Sequence, residues 1–130
     1  MQARTPTSQK QTGSDKKKIL TVALKRAQER LGISRQELSV IIGLSESSLS
    51  RAFTKPDYPI DPASNEGRLA LLLLHLYRSL DTLFGGNAKQ CQLWLRTQNS
   101  HLNGIPVLLI QSIDGLVMTV HYLDIMQGKS

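Results

Sequence analysis

Three histidines, His75, His101 and His121, together with Asp114, Asp124 and Cys91, are the side chains from which acid–base, nucleophilic or metal chemistry would have to be built in this 130-residue sequence. Their spacing builds none of it. No pair stands at ligand spacing, no nucleophile sits beside a base in a recognisable arrangement, and His121 and Asp124 are ordinary helical neighbours. The expectation is a chain without catalysis, metal or cofactor. Hydrogen-bonding chemistry is concentrated instead at Ser45, Glu46, Ser47, Ser50 and Arg51, with Lys55 just beyond. Short hydroxyls at the start of a helix, beside one long cation, can lie between phosphates and base edges without steric conflict. Glu46 can accept from a cytosine amino group or reject wrong partners. Arg35 and Gln36, with Ser34, open the preceding helix, where they would lie near a DNA backbone.

Such a surface needs two short helices crossing at a tight turn, and residues 34–53, SRQELSVIIGLSESSLSRAF, supply them. Leu38 and Ile42 are one helical turn apart, and Leu49 and Ala52 nearly so. Gly43 falls where the first helix must stop in a left-handed conformation, Leu44 plugs the corner, and Ser45 caps the second helix with Ser48 in its first turn. Ser39 keeps the crossing small. This is the helix-turn-helix layout. A plain helical hairpin in a bundle shares the apolar pattern, but the polar outer face of the second helix argues against it.

Charge divides the chain unevenly. The first 60 residues hold 11 Lys or Arg against 5 Asp or Glu, whereas residues 61–130 hold 5 of each. The whole excess of +6 travels with the helix-turn-helix. One polyanion-binding face and a second face for a different partner are implied. A chain of this length with 40% hydrophobic residues builds one modest domain or two small ones. The longest apolar run, residues 69–74, is too short to span a membrane, and no signal peptide is evident. A soluble, cytoplasmic protein is expected, and the single cysteine fits a reducing compartment.

The expected organisation is all-α: a disordered basic tail over residues 1–14, the helix-turn-helix domain over 15–55, a linker over 56–65, and a helical dimerisation and partner-binding domain over 66–130. A first helix starts at Asp15, with Leu20, Leu24, Ala27 and Leu31 at helical spacing and Gly32 then Ile33 as its stop. Lys16, Lys17 and Lys18 would then sit in a first turn against the helix dipole, where a phosphate relieves them or the turn frays. Pro56, Pro59 and Pro62 make a stiff connector. A long helix runs from Asp61 or Ser64 to Phe84, with Leu69, Leu72, Leu73, Leu76, Leu80 and Leu83 on one face and Leu71 widening the stripe. It must be covered on more than one side, between domains or in a homodimer. His75, within that stripe, reads as a core or interface histidine. Asn87 caps a helix carrying Cys91, Trp94 and Leu95; Pro106 opens a short one; and Ser112 or Asp114 caps the last, with Leu116, Val120 and Leu123 on one face. In the loop between, Asn99 bonds its neighbouring backbone and Gly104 supplies a positive φ.

Residues 80–123, above all LFGGNAKQCQLWLRTQNSHLNGIPVLLIQSIDG, resemble the C-terminal toxin-binding domain of the Xre/MbcA/ParS family of bacterial antitoxins. The matching residues are Leu83, Phe84, Gly85, Ala88, Trp94, Leu95, Asn99, Leu102, Gly104 and Pro106, then Gly115, Tyr122 and Leu123, with Arg68 and Leu69 at the start of the long helix. Gln98 and Ser100 stand where the family often has proline. The resemblance implies a two-gene toxin–antitoxin system whose toxin carries a RES domain and consumes NAD. It also implies a homodimer within a larger complex, with the C-terminal region, here Tyr122, Met126, Gln127, Gly128, Lys129 and Ser130, laid into the toxin's NAD cleft. A lysine side chain or terminal carboxylate would satisfy polar partners there that NAD otherwise occupies. Duplicated by dimerisation, the helix-turn-helix would bind a palindromic operator with half-sites roughly 34 Å apart and regulate its own gene. The alternative is a stand-alone transcription regulator with a helical dimerisation domain.

Overall fold

The computed structural model describes residues 4–129, and each helix in it starts and stops where its local chemistry allows. α1 (Arg4–Leu31) stops at Gly32, whose φ of 66° lets the N–H groups of Gly32 and Ile33 return to the carbonyls of Glu29 and Gln28. α2 (Arg35–Ile42) opens with a reciprocal box: the Ser34 hydroxyl accepts from the Glu37 N–H and the Glu37 carboxylate from the Ser34 N–H. It ends at Gly43, φ 79°. α3 (Glu46–Thr54) is capped by Ser45, α4 (Asn65–Leu83) by Ser64, and α5 (Ala88–Arg96) by Asn87. Pro106 is the first residue of α6 (Pro106–Leu109). Ser112, not Asp114, caps α7 (Ile113–Met126), accepting from the Gly115 N–H.

α1 is longer than its apolar spacing predicts, starting at Arg4 rather than Asp15. Residues 4–14 continue the helix, and residues 1–3 of the expected tail lie outside the described residues. Pro6 falls in the first turn, where its missing N–H costs nothing, and extending a formed helix is easier than starting one. Lys16, Lys17 and Lys18 are therefore several turns in, and the dipole conflict expected of them does not arise.

Leu24, Leu31, Leu38, Ile42 and Leu49 are fully enclosed and hold α1, α2 and α3 together, with Leu44 partly covered at the corner. α4 lies against α1, α2 and α7. Leu73, Leu76 and Leu80 join Ile110, Leu116 and Leu123 in the same buried cluster that contains the helix-turn-helix leucines. The proline-rich connector is pinned onto this cluster. Ile60 is buried and its N–H donates to the Thr21 hydroxyl at 2.8 Å. Gly67 is required where α4 meets the connector, because a Cβ there would lie 1.9 Å from the Asp61 carbonyl oxygen.

Three local expectations change. Gly104 does not carry the positive φ; Asn103 does, at 60°, and Gly104 is small because a Cβ would come within 3.0 Å of the Leu109 side chain. Asn99 behaves as expected, its side-chain oxygen accepting from the N–H groups of His101 and Leu102 at 3.0 Å each. Leu71 and Leu83 lie at the exposed edge of the α4 stripe. His75 is exposed rather than in the core, with Nε2 2.7 Å from an Asp124 carboxylate oxygen. That pairing replaces the helical neighbourhood of His121 and Asp124 as the histidine–carboxylate contact of the region.

Candidate functional site

α3 presents Glu46, Ser47, Ser50 and Arg51 to solvent, with Ser45 exposed at its cap and Lys55 at its end. The hydroxyl of Ser45 is occupied: it accepts from the Ser48 N–H at 3.1 Å and bonds the Ser48 hydroxyl at 2.9 Å. Ser47, whose hydroxyl lies 3.2 Å from that of Ser45, and Ser50 are exposed. Arg51 lies with its guanidinium carbon 5.7 Å from the centre of the Tyr58 ring, and Nη2 reaches the Ser48 hydroxyl at 3.4 Å. This stacking orders a flexible cation before any ligand arrives. Arg35 stacks on Phe53 at 5.0 Å, which ties the start of α2 to α3, and Gln36 beside it is exposed. Of the residues expected from sequence to face DNA, Gln36, Ser45, Glu46, Ser47, Ser50, Arg51 and Lys55 are exposed and Arg35 is half-buried.

A second constellation escaped the sequence reading. The two guanidinium nitrogens of Arg96, at the end of α5, donate to the two carboxylate oxygens of Glu37 at 2.8 Å each, and Nη2 also donates to the Gly32 carbonyl at 2.8 Å. Glu37 is the same residue that caps α2. The Arg96 hydrogen bonds, helped by the Ser34 backbone, hold its carboxyl down at about 2 against the opposing effect of partial burial. Beside this pair, Arg30 donates to the Gly86 carbonyl at 2.9 Å and Gln92 to the Arg30 carbonyl at 3.1 Å. The C-terminal helices are thereby fastened to the turn in front of α2. The SRQE spacing at residues 34–37 was a readable capping signal; its partner 59 positions on was not.

α7 is apolar on both sides. Leu116, Thr119, Val120 and Leu123 face the core, while Ile113, Val117, Met118, Ile125 and Met126 face solvent, with Ile113 61% and Ile125 57% exposed. Leu108 on α6 is exposed beside them in sequence. A helix apolar around its girth implies a cover on its outer side. Of the residues expected to meet a partner, Tyr122 is half-buried and stacked on His101, with ring centres 5.9 Å apart, and Met126 is exposed. Gln127, Gly128 and Lys129 form a closed helix end. The Gly128 N–H returns to Ile125 at 2.9 Å and the Lys129 N–H to Asp124 at 2.8 Å, around a Gly128 φ of 78°. This is the Schellman pattern, which satisfies the last carbonyls of α7 through residue 129. Ser130 lies outside the described residues.

A hydroxyl-rich second helix on a helix-turn-helix, fastened to a helical region whose last helix is apolar outside, defines a helix-turn-helix protein with a separate partner-binding surface. Residues 11–75 match the model for the antitoxin Xre-like helix-turn-helix domain, and residues 79–129 match that for the antitoxin Xre/MbcA/ParS C-terminal toxin-binding domain. The chain belongs to the Xre-like antitoxin family. Comparison with curated proteins returned no significant match. A toxin partner follows from the second match, and DNA is suggested by the first. No described helix is long and apolar enough to cross a membrane.

Proposed function

We propose that this antitoxin neutralises a RES-domain, NAD-consuming toxin in the cytoplasm through α7 and the segment after it, and represses its own operon through α3. The observation that carries the first half is the solvent-facing apolar side of α7, which lies inside the region matched to toxin-binding domains. Ile113, Val117, Met118 and Met126 supply contact area, and Tyr122 and Gln127 border it. The closed helix end places Lys129 directly after the α7 surface, so docking along α7 would deliver its ammonium group toward a cleft shaped for a charged dinucleotide. Gly128 and Ser130 flank Lys129 in that segment.

The second half rests on the exposed hydroxyls and cation of α3. A homodimer would place two copies of α3 in successive major grooves of a palindromic operator, roughly 34 Å apart. Growth assays test the whole reading. The adjacent gene product is induced alone, with the full chain, and with a chain lacking Met126, Gln127, Gly128, Lys129 and Ser130. Rescue by the full chain and failure of the shortened one is expected. Absence of rescue would leave the stand-alone regulator as the better account.

A further inference from the structure

On one flank of the helix-turn-helix, α1 and the connector enclose two adjoining clefts. One, of about 580 Å³, is lined by Gly13, Ser14, Lys17, Lys18, Pro56, Asp57 and Pro59. The other, of about 310 Å³, shares Lys18, Pro56 and Pro59 with it and adds Thr54 and Lys55 from the end of α3. We infer that Lys17 and Lys18 of α1, together with Lys55, grip the phosphate backbone of duplex DNA beside α3. This rests on the DNA-binding reading of α3, which includes Lys55, and extends the contact to Lys17 and Lys18.

Three features point to a phosphate chain. Lys17, Lys18 and Lys55 face a single carboxylate, Asp57, so the paired clefts are net positive, and among the described residues none of the three lysines enters an ion pair. Gly13 stands within α1 with nothing within 4 Å of where a Cβ would lie, so no neighbour demands a glycine there. Glycine weakens a helix interior, and its effect here is to leave the wall of the larger cleft bare for a close approach. The third feature is reach. The nine residues of α3 rise about 13 Å, close to the ~12 Å width of the major groove. With its hydroxyl-rich start at the bases, the far end of α3 comes up against the phosphate wall, and Lys55 marks that end. Lys18 of α1 lines the same cleft as Lys55.

Backbone contacts carry no sequence information, so a mixed-sequence duplex of about 30 base pairs is a sufficient probe, titrated with the full chain between about 50 and 200 mM salt. The Lys17→Gln, Lys18→Gln double variant should bind more weakly, with the slope of log affinity against log salt shallower by about 1.8. A charge-matched control, Arg78→Gln with Lys89→Gln, should keep the original slope, since those residues lie on α4 and α5 away from the clefts. An unchanged slope in the lysine variant, or an equal loss in the control, overturns the clamp. Arg51→Ala, run in parallel, separates the two readings. If it weakens binding while the lysine variant does not, only the clamp falls. If the unaltered chain fails to bind duplex at all, the DNA-binding reading falls and takes the clamp with it.

Discussion

Replacing Glu37 with glutamine tests the clamp between α5 and the helix-turn-helix. Glutamine keeps the capping geometry at the third position of α2, because its amide oxygen can still accept from the Ser34 N–H. What it removes is the charge that meets Arg96. Holding a carboxyl at about 2 instead of 4.5 corresponds to a ceiling of about 3 kcal/mol. The Arg96 side chain is 45% exposed, however, and solvent screening around it lowers the expected figure to about 1–1.5 kcal/mol. A depressed carboxyl stabilises the fold above its unfolded value and loses that contribution as pH falls through its folded value. The difference between wild type and Glu37→Gln should therefore be full at pH 7, decline below about pH 4.5, and vanish near pH 2. Urea unfolding across that range reads it directly; at pH 7 the melting temperature should drop by about 3–5 °C. Other carboxylates titrate in the same window, so the quantity to follow is the difference between the two proteins. Equal stabilities at pH 7, or a gap that persists at pH 2, would refute the assignment. Adding Arg96→Ala completes a double-mutant cycle, in which the coupling should account for most of the loss.

Arg51→Ala should weaken operator binding in a gel-shift titration while toxin neutralisation survives; the reverse outcome would contradict the division of labour between α3 and α7. Val117→Asp on the outer side of α7 should leave the melting temperature within about 2 °C of wild type, since surface changes cost little, yet abolish rescue in the growth assay. Gly115→Ala should be far more damaging, losing at least about 2 kcal/mol by chemical denaturation, because its Cβ would lie 1.8 Å from the Leu109 carbonyl oxygen. Thr21→Val should cost about 1–2 kcal/mol, since it strands the buried Ile60 N–H without its acceptor.

Features decided by neighbouring residues were legible in the sequence. Ser45 and Asn87 cap the helices they were expected to cap, and Gly43 has the left-handed conformation its position implied. Such choices depend on one turn of chain and one hydrogen bond. The start of α1 was not legible, because residues 4–14 have little to bury and helicity there follows from extension of an existing helix. Nor could spacing decide between Asn103 and Gly104 for the strained position, since asparagine also tolerates it and the demand on Gly104 came from a distant leucine. The Arg96–Glu37 pair and the Thr21–Ile60 bond join residues far apart in the chain, and no local pattern announces them. On α7 the face read from helical spacing, Leu116, Val120 and Leu123, is the one the core takes, whereas the apolar residues on its outer side were not singled out.

The buried cluster that runs through α4 has a thermodynamic consequence. α4 begins inside the stretch matched to the helix-turn-helix and ends inside the stretch matched to toxin binding, and its leucines are enclosed by helices of both. Neither half keeps a complete hydrophobic interior if the other melts. Chains of this size commonly unfold in a single cooperative step, so one equilibrium constant governs both capacities. A change of about 1.4 kcal/mol multiplies the unfolded population tenfold and removes the helix-turn-helix surface and the toxin-binding surface in equal measure. The fold itself therefore ties the two surfaces to a single stability.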